Sequence, residues 1–180
     1  MINVTLKDGV VKQYEQGTTA AEVAKSLGAG LYKAACAAKV DGKAVDLRTP
    51  LESDCTLSIL TFDAPEGKHA FWHTASHVLA QAVMRLYPDT KYTIGPAVEN
   101  GFYYDFDLQK PFSPEDLEKI EEEMKKIVKE GLPLERFELE PAQAKELMKD
   151  QPYKLELIDK HSGAGEKISF YKQGDFTDLC

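Results

Sequence analysis

Residues 2–14 read INVTLKDGVVKQY: an alternating run over Ile2–Lys7, a break at Asp8-Gly9, and a second extended run over Val10–Tyr14. Alternation has the period of a strand with one covered face, and Asp-Gly is a favoured hairpin turn, so the chain opens with a β-hairpin. Thr19-Ala-Ala-Glu22 follows. A threonine hydroxyl and a glutamate carboxylate at this spacing each satisfy an orphan amide at a helix start. The helix runs to about Leu27 and stops at Gly28, a residue suited to the turn that ends a helix. Ala37-Ala-Lys-Val40, the turn Asp41-Gly42 and Lys43-Ala-Val-Asp-Leu47 predict a second hairpin, and Thr56–Thr61 a last strand. The order ββαββ…β is that of a β-grasp, ubiquitin-like fold.

Outward from this unit, Asp63-Ala-Pro-Glu-Gly-Lys68 is hydrophilic and turn-forming, which puts a domain boundary near 62–68 and divides the chain into 1–62 and 63–180. Residues 69–87 carry Phe71, Ala75, Val78, Leu79, Ala82, Val83 and Leu86 on one helical stripe, closed by Pro88. Residues 92–107 read as two strands joined at Glu99-Asn-Gly101. Ser113-Pro114 is an N-cap with proline at the first helical position, starting a helix over 114–130. That helix is expected to bury Leu117, Ile120, Met124, Ile127 and Val128, with a solvated Glu- and Lys-rich face, and to end at Gly131. A strand in PLERFEL, helices near 141–149 and 154–160 and a strand near 167–172 complete an α+β chain.

Composition excludes several classes. Of the 180 residues, 43% are hydrophobic and 29% charged, the balance of a globular protein rather than a disordered one. No apolar run is long enough to cross a bilayer and the start lacks a signal peptide's pattern, so a soluble, cytoplasmic chain is expected. Residues 1–62 carry seven basic and seven acidic side chains, whereas 63–180 carry 15 basic against 23 acidic, which places the whole net charge of −8 in the second part. A basic footprint for gripping RNA is therefore absent, and any RNA contact must be local or supplied from elsewhere. Cys36, Cys55 and Cys180 make an odd, sparse set, read as reduced thiols, with Cys36 and Cys55 expected to be buried.

His73-Thr-Ala-Ser-His77 carries the chemistry. Two histidines four apart share a helical face and can address one ion or one substrate. Measured from Ala75, they point roughly 160° and 200° around the helix, opposite the apolar stripe. Ala70, Ala80 and Met84 share that face, and none is charged. A face of that kind is expected under cover, with the histidines on the floor of a cleft. The spacing by itself also fits two histidines with no joint task. A protease zinc site is disfavoured, because Thr74 stands where its glutamate base would be.

Three further segments extend the pattern: Ile94-Gly-Pro96 with Glu99-Asn-Gly-Phe-Tyr-Tyr-Asp105, Tyr153-Lys-Leu-Glu-Leu-Ile158, and Asp178-Leu-Cys180. With HTASHVLAQAV they resemble the second N-terminal domain shared by threonyl- and alanyl-tRNA synthetases, and the first 61 residues resemble the TGS domain of the threonyl family. The resemblance implies a β-grasp domain followed by a two-layer α/β editing domain that hydrolyses seryl-tRNA-Thr. Such hydrolysis has a physical motive. A threonine site loses one methyl's worth of contact with serine, about 1 kcal/mol, which binding alone cannot turn into fidelity.

The resemblance maps catalytic roles onto His73, His77, Lys154, Asp178 and Cys180, and substrate binding onto Tyr104 and Tyr171. Histidine moves protons near neutral pH, Lys154 would hold a substrate hydroxyl or the tetrahedral oxygen, and Asp178 the substrate ammonium. Read without the family, Lys154 is a surface lysine and Asp178 a loop carboxylate. The family pattern continues past the cysteine to another histidine, so the chain is expected to be a piece of a longer protein with a crippled pocket and no bound metal. ATP, magnesium and zinc are implied for the catalytic domain of the parent, with tRNA-Thr as partner and a homodimeric state. Two other readings stand beside the editing esterase: a recognition module without catalysis, and a zinc-dependent deacylase of the alanyl type.

Overall fold

The computed structural model describes residues 1–163 and 167–180. It divides into two compact units, Met1–His73 with Ala97–Glu99, and Thr74–Pro96 with Asn100–Cys180. Among the described residues no helix is long and apolar enough to cross a membrane.

The first unit holds β1 (Ile2–Leu6), β2 (Val11–Tyr14), α1 (Ala20–Leu27), α2 (Ala29–Ala34), β3 (Ala35–Val40), β4 (Lys43–Val45) and β5 (Cys55–Thr61). Its five-stranded sheet has the order β2-β1-β5-β3-β4. The two hairpins are antiparallel, while β1 and β5 pair in parallel, Val4 opposite Cys55. Parallel neighbours need a crossover, and the helices supply it. Ile2, Val4, Ala20, Val23, Ala38, Leu51 and Leu57 form the core. Thr19 and Glu22 make the expected capping box, the threonine side chain accepting from the Glu22 amide and the carboxylate accepting from the Thr19 amide. The sheet order and the helix across it are those of a β-grasp.

Two expectations for this unit need correction. Gly28 ends α1 but also begins α2, a six-residue helix hidden in a run that reads as the approach to a strand. Cys36 and Cys55 are half-buried rather than buried. A register shift between Ala35 and Ala37 takes Cys36 out of the alternation that would turn it inward, and Cys55 is the first residue of its strand.

The remaining elements are α3 (Pro65–Leu86), β6 (Lys91–Tyr92), β7 (Ala97–Val98), β8 (Gly101–Phe102), β9 (Phe106–Asp107), α4 (Pro114–Glu130), β10 (Leu134–Leu139), α5 (Pro141–Leu147), α6 (Pro152–Ser162), β11 (Ile168–Gln173) and β12 (Phe176–Leu179). The helix α3 starts before residue 69, so residues 65–68 are its first turn. At Gly67 an added Cβ would fall 2.0 Å from the Thr61 carbonyl oxygen, so the end of β5 is met directly by the start of the helix. The segment read as two strands over 92–107 is four short ones, β6 pairing with β9 and β7 with β8.

In the second unit β10, β11 and β12 form an antiparallel sheet in that order. Ala144, Met148, Ile158, Ile168 and Phe170 pack as one cluster, and Val78, Ala82, Val83, Ile120 and Ile127 as another. Ser113 caps α4 with a full capping box to Asp116, and Gly131 closes it at φ 59°, where a side chain would be strained. Leu117 and Val128, expected in the core, are 57% and 68% exposed. Both lie roughly 60–80° around the helix from Ile120, on the shoulder of a stripe that Ile120, Met124 and Ile127 fill. Phe71 and Leu86, near the two ends of α3, are likewise exposed.

Candidate active site

The middle of α3 is covered on two sides. Val78, Ala82 and Val83 are buried on one face, and Ser76, His77, Ala80 and Gln81 on the other. Ser76 Oγ donates to the Gly95 carbonyl at 2.8 Å, and Gln81 Nε2 to that of Gln173 at 3.1 Å. His73 is half-buried, one turn before His77 on the same helix.

A second contribution comes from β12. Its two-residue turn after β11, Gly174-Asp175 with Gly174 at φ 60°, makes a hairpin in which Asp178 stands opposite Tyr171. Asp178 is therefore no loop carboxylate. It lies on a strand and is 1% exposed. A third contribution comes from α6, whose first turn carries Lys154, 2% exposed and no surface lysine.

These elements converge on one carboxylate. Lys154 Nζ lies 2.7 Å from Asp178 Oδ1. His77 Nδ1 lies 3.0 Å from Asp178 Oδ2, and Tyr104 Oη donates to the same oxygen at 2.6 Å. Lys154 Nζ also donates to Tyr104 Oη at 3.0 Å, closing a ring of contacts. The ammonium sits 5.0 Å from the Tyr92 ring centre and 5.4 Å from that of Tyr104. Tyr171 packs near His77 with ring centres 6.2 Å apart. His73, His77 and Cys180 bring ligand-capable atoms within 4.8 Å of one another. All seven residues singled out from the sequence thus belong to one neighbourhood, with Lys154, Asp178 and Tyr104 at its buried end and Cys180 exposed.

Burial opposes charge on Asp178, but hydrogen bonding from His77 and the Lys154 charge outweigh it and hold the carboxyl at about 2. Burial likewise opposes charge on His77, yet its bonds to Asp178 and Cys180 win and push the imidazole up to about 9. At neutral pH His77 is therefore a cation and a donor. Burial and the Asp178 charge drive the Tyr104 and Tyr92 hydroxyls far above the usual phenol range, so both remain neutral donors.

Two participants escape a reading by motif. Tyr92, on a two-residue strand, looks like an ordinary core aromatic, and no spacing links it to Lys154. Gly95 is visible in Ile94-Gly-Pro96, but its reason is spatial: an added Cβ would sit 2.1 Å from Tyr104 Cδ2. Only glycine lets the Tyr104 ring lie where its hydroxyl meets Asp178.

Residues 2–61 match the TGS domain family. Along the whole chain, 182 aligned residues are 61% identical to a threonine–tRNA ligase of Acetivibrio thermocellus, covering 28% of that protein. A threonine–tRNA ligase of Clostridium perfringens is 56% identical over 180 residues, again 28% of its length. One from Caldanaerobacter subterraneus is 54% identical over 179 residues, which cover 98% of this chain and 28% of the relative. The chain spans little more than a quarter of the curated relatives it matches. From end to end the chain is thus similar to the N-terminal region of threonine–tRNA ligases, with the match to the TGS domain family at residues 2–61.

Proposed function

We propose that residues 63–180 act as an editing esterase that hydrolyses seryl-tRNA-Thr, with 1–62 as a binding or positioning module. The observation that carries this reading is the buried Lys154–Asp178–His77 constellation beside half-buried His73 and exposed Cys180. A carboxylate shared by two cations deep in a domain adds little net stability, and buried clusters of strongly perturbed titratable groups gather at functional sites.

In this reading water adds to the ester carbonyl carbon, its proton passing to His73. His77, already protonated, donates to the developing oxyanion and then to the ribose oxygen as the ester C–O bond breaks, which releases serine and a free tRNA hydroxyl. Asp178 accepts from Lys154, His77 and Tyr104 at once, so it orients these groups rather than reaching a substrate ammonium. Lys154 is likewise a positioning residue, while Tyr171 and Cys180 line the approach. Threonine attachment with ATP, magnesium and zinc, and a homodimeric state, would belong to the remaining three-quarters of a relative's length.

The His73, His77 and Cys180 donors favour a second reading, a zinc-dependent deacylase. Their nitrogen and sulfur atoms suit zinc, and His77 held through Nδ1 on a carboxylate is the usual support of a metal-bound imidazole. When bound, zinc would polarise the ester and a water. Against it, the proton that His77 holds up to about pH 9 must leave first.

One preparation tests both: pre-formed seryl-tRNA-Thr hydrolysis by the chain and by His73→Ala and His77→Ala, with metal content measured after dialysis. The expected results are slow hydrolysis, abolished by either substitution, and substoichiometric zinc. A variant that retains the parental rate removes its histidine from the mechanism, and one equivalent of tightly held zinc moves the assignment to the second reading.

A further inference from the structure

Tyr92 touches both elements that supply the Lys154–Asp178 pair, α6 and β12. Its backbone amide donates to Gln151 Oε1 at 3.2 Å, and Gln151 is the residue immediately before α6. Gln151 Nε2 returns to the Thr90 carbonyl at 3.5 Å, so the start of α6 is strapped to the segment that carries Tyr92. The Tyr92 hydroxyl donates to the Thr177 carbonyl at 3.3 Å, one residue before Asp178 on β12. Between these attachments the ring faces the Lys154 ammonium at 5.0 Å and packs beside Phe176 and Tyr104.

An ammonium withdrawn from water and held by one carboxylate keeps room to swing about its long stem. The aromatic face removes that room. It attracts the cation, and its two ends fix the helix that supplies Lys154 and the strand that supplies Asp178. Tyr104 bonds both charges, but Tyr92 bonds neither. It acts on them through backbone and ring, and it is only 5% exposed, too enclosed to meet a tRNA end.

We propose that Tyr92 is a positioning residue for the ester hydrolysis, setting the Lys154–Asp178 geometry and through Asp178 the orientation of His77. The inference rests on the editing reading for its rate consequence, but not for its structural one.

The test uses the full chain with Tyr92→Phe and Tyr92→Leu. Three quantities are read: thermal unfolding, the NMR signal of the Lys154 ammonium with its ring-current shift, and single-turnover hydrolysis of seryl-tRNA at varied protein concentration. Tyr92→Phe should keep the Lys154 signal and slow hydrolysis roughly 5-fold, the scale of one neutral hydrogen bond. Tyr92→Leu should lose the shifted signal and slow the saturated rate about 100-fold, as small misplacements of reacting groups do, with half-saturation unchanged. The partial rescue by phenylalanine separates a guided ammonium from a general loss of packing. A folded Tyr92→Leu protein that keeps the Lys154 signal overturns the proposal, as does a rate loss arising wholly in half-saturation. Should the leucine protein fail to fold, Tyr92→Phe decides, and parental rate with an unshifted Thr177 carbonyl resonance counts against. If the unaltered chain hydrolyses no seryl-tRNA, the editing reading falls, and the Lys154 signal still decides the positioning claim.

Discussion

Lys154 and Asp178 form an ion pair at 2.7 Å with both side chains almost completely out of water. A pair in that setting contributes little net stability, because desolvation cancels much of its attraction, but removing one partner strands the other. Lys154→Met should therefore destabilise the chain by about 3–5 kcal/mol, and Asp178→Asn similarly, whereas Lys154→Met with Asp178→Asn should cost less than the sum of the two. Urea denaturation of the four proteins measures the coupling. A double-variant loss equal to the sum of the two single losses would show that the two groups do not depend on each other.

The same carboxylate sets a pH window. His77 is raised from 6.5 to about 9, so its contribution is complete below 6.5 and is lost as pH climbs through 9. Asp178 is lowered from 3.8 to about 2, so its contribution is complete above 3.8 and is lost as pH falls through 2. The chain should lose stability between about pH 7 and about pH 10, and His77→Gln should flatten that alkaline limb and also shrink the acid one, because His77 helps to hold Asp178 low. Unfolding midpoints across the range check this. An unchanged alkaline limb in the variant would place the titration elsewhere.

Gly95→Ala should destabilise the second unit by about 1–3 kcal/mol, because its new methyl must displace the Tyr104 ring. Gly30→Ala is the contrast. It adds a methyl with nothing within 4 Å, inside a helix, where alanine stabilises by roughly 0.5–1 kcal/mol relative to glycine. Chemical denaturation distinguishes them, and a neutral Gly95→Ala would mean that Tyr104 shifts freely.

The amphipathic helix α4 gives a fourth contrast. Ile120→Ala should cost about 2–5 kcal/mol as a fully enclosed side chain is cut back. Leu117→Glu, although it changes an apolar residue three positions away, should stay within about 0.5 kcal/mol of the parent. If Leu117→Glu proves as damaging as Ile120→Ala, something covers that shoulder in solution.

Much of the fold was legible because its signals are local. Asp8-Gly9, Asp41-Gly42, Thr19…Glu22 and Ser113-Pro114 each act over a few residues, and each turn or cap forms where those residues stand. The helix α2 was hidden because its six residues complete too few turns to show a period, and Gly28 reads as an end rather than an end and a beginning. The hairpin that makes β12 did carry a signal, Gly174-Asp175 between two apolar runs, but the second run is only four residues long. Side-chain burial was harder. Leu117 and Ile120 have the same chemistry and fall near one another on the helical wheel, and only the partner surface decides which is enclosed.

The site divides along the same line. His73 and His77 announce themselves by spacing on one helix. Lys154 and Asp178 do not, since a lysine in a helix and an aspartate near a strand end are ordinary until the fold seals them together. Here the family resemblance named residues that periodicity could not. Tyr92 was reached by neither route, because its role is to touch α6 and β12 at once.

The order in which these parts leave a ribosome follows from β12 being the last strand. Tyr104 and Lys154 are bonded to a carboxylate 74 residues after the first of them in the chain. Until Phe176–Leu179 has been synthesised, α3, β6 and α6 can exist, but the Lys154 ammonium has no anion to accompany it inward and must stay in water. The cluster therefore closes late and all together, only once β12 is made, whereas the β-grasp unit has every strand it needs by Thr61. A nascent chain stalled between those points would present a finished first unit and a second one with its charged interior still open.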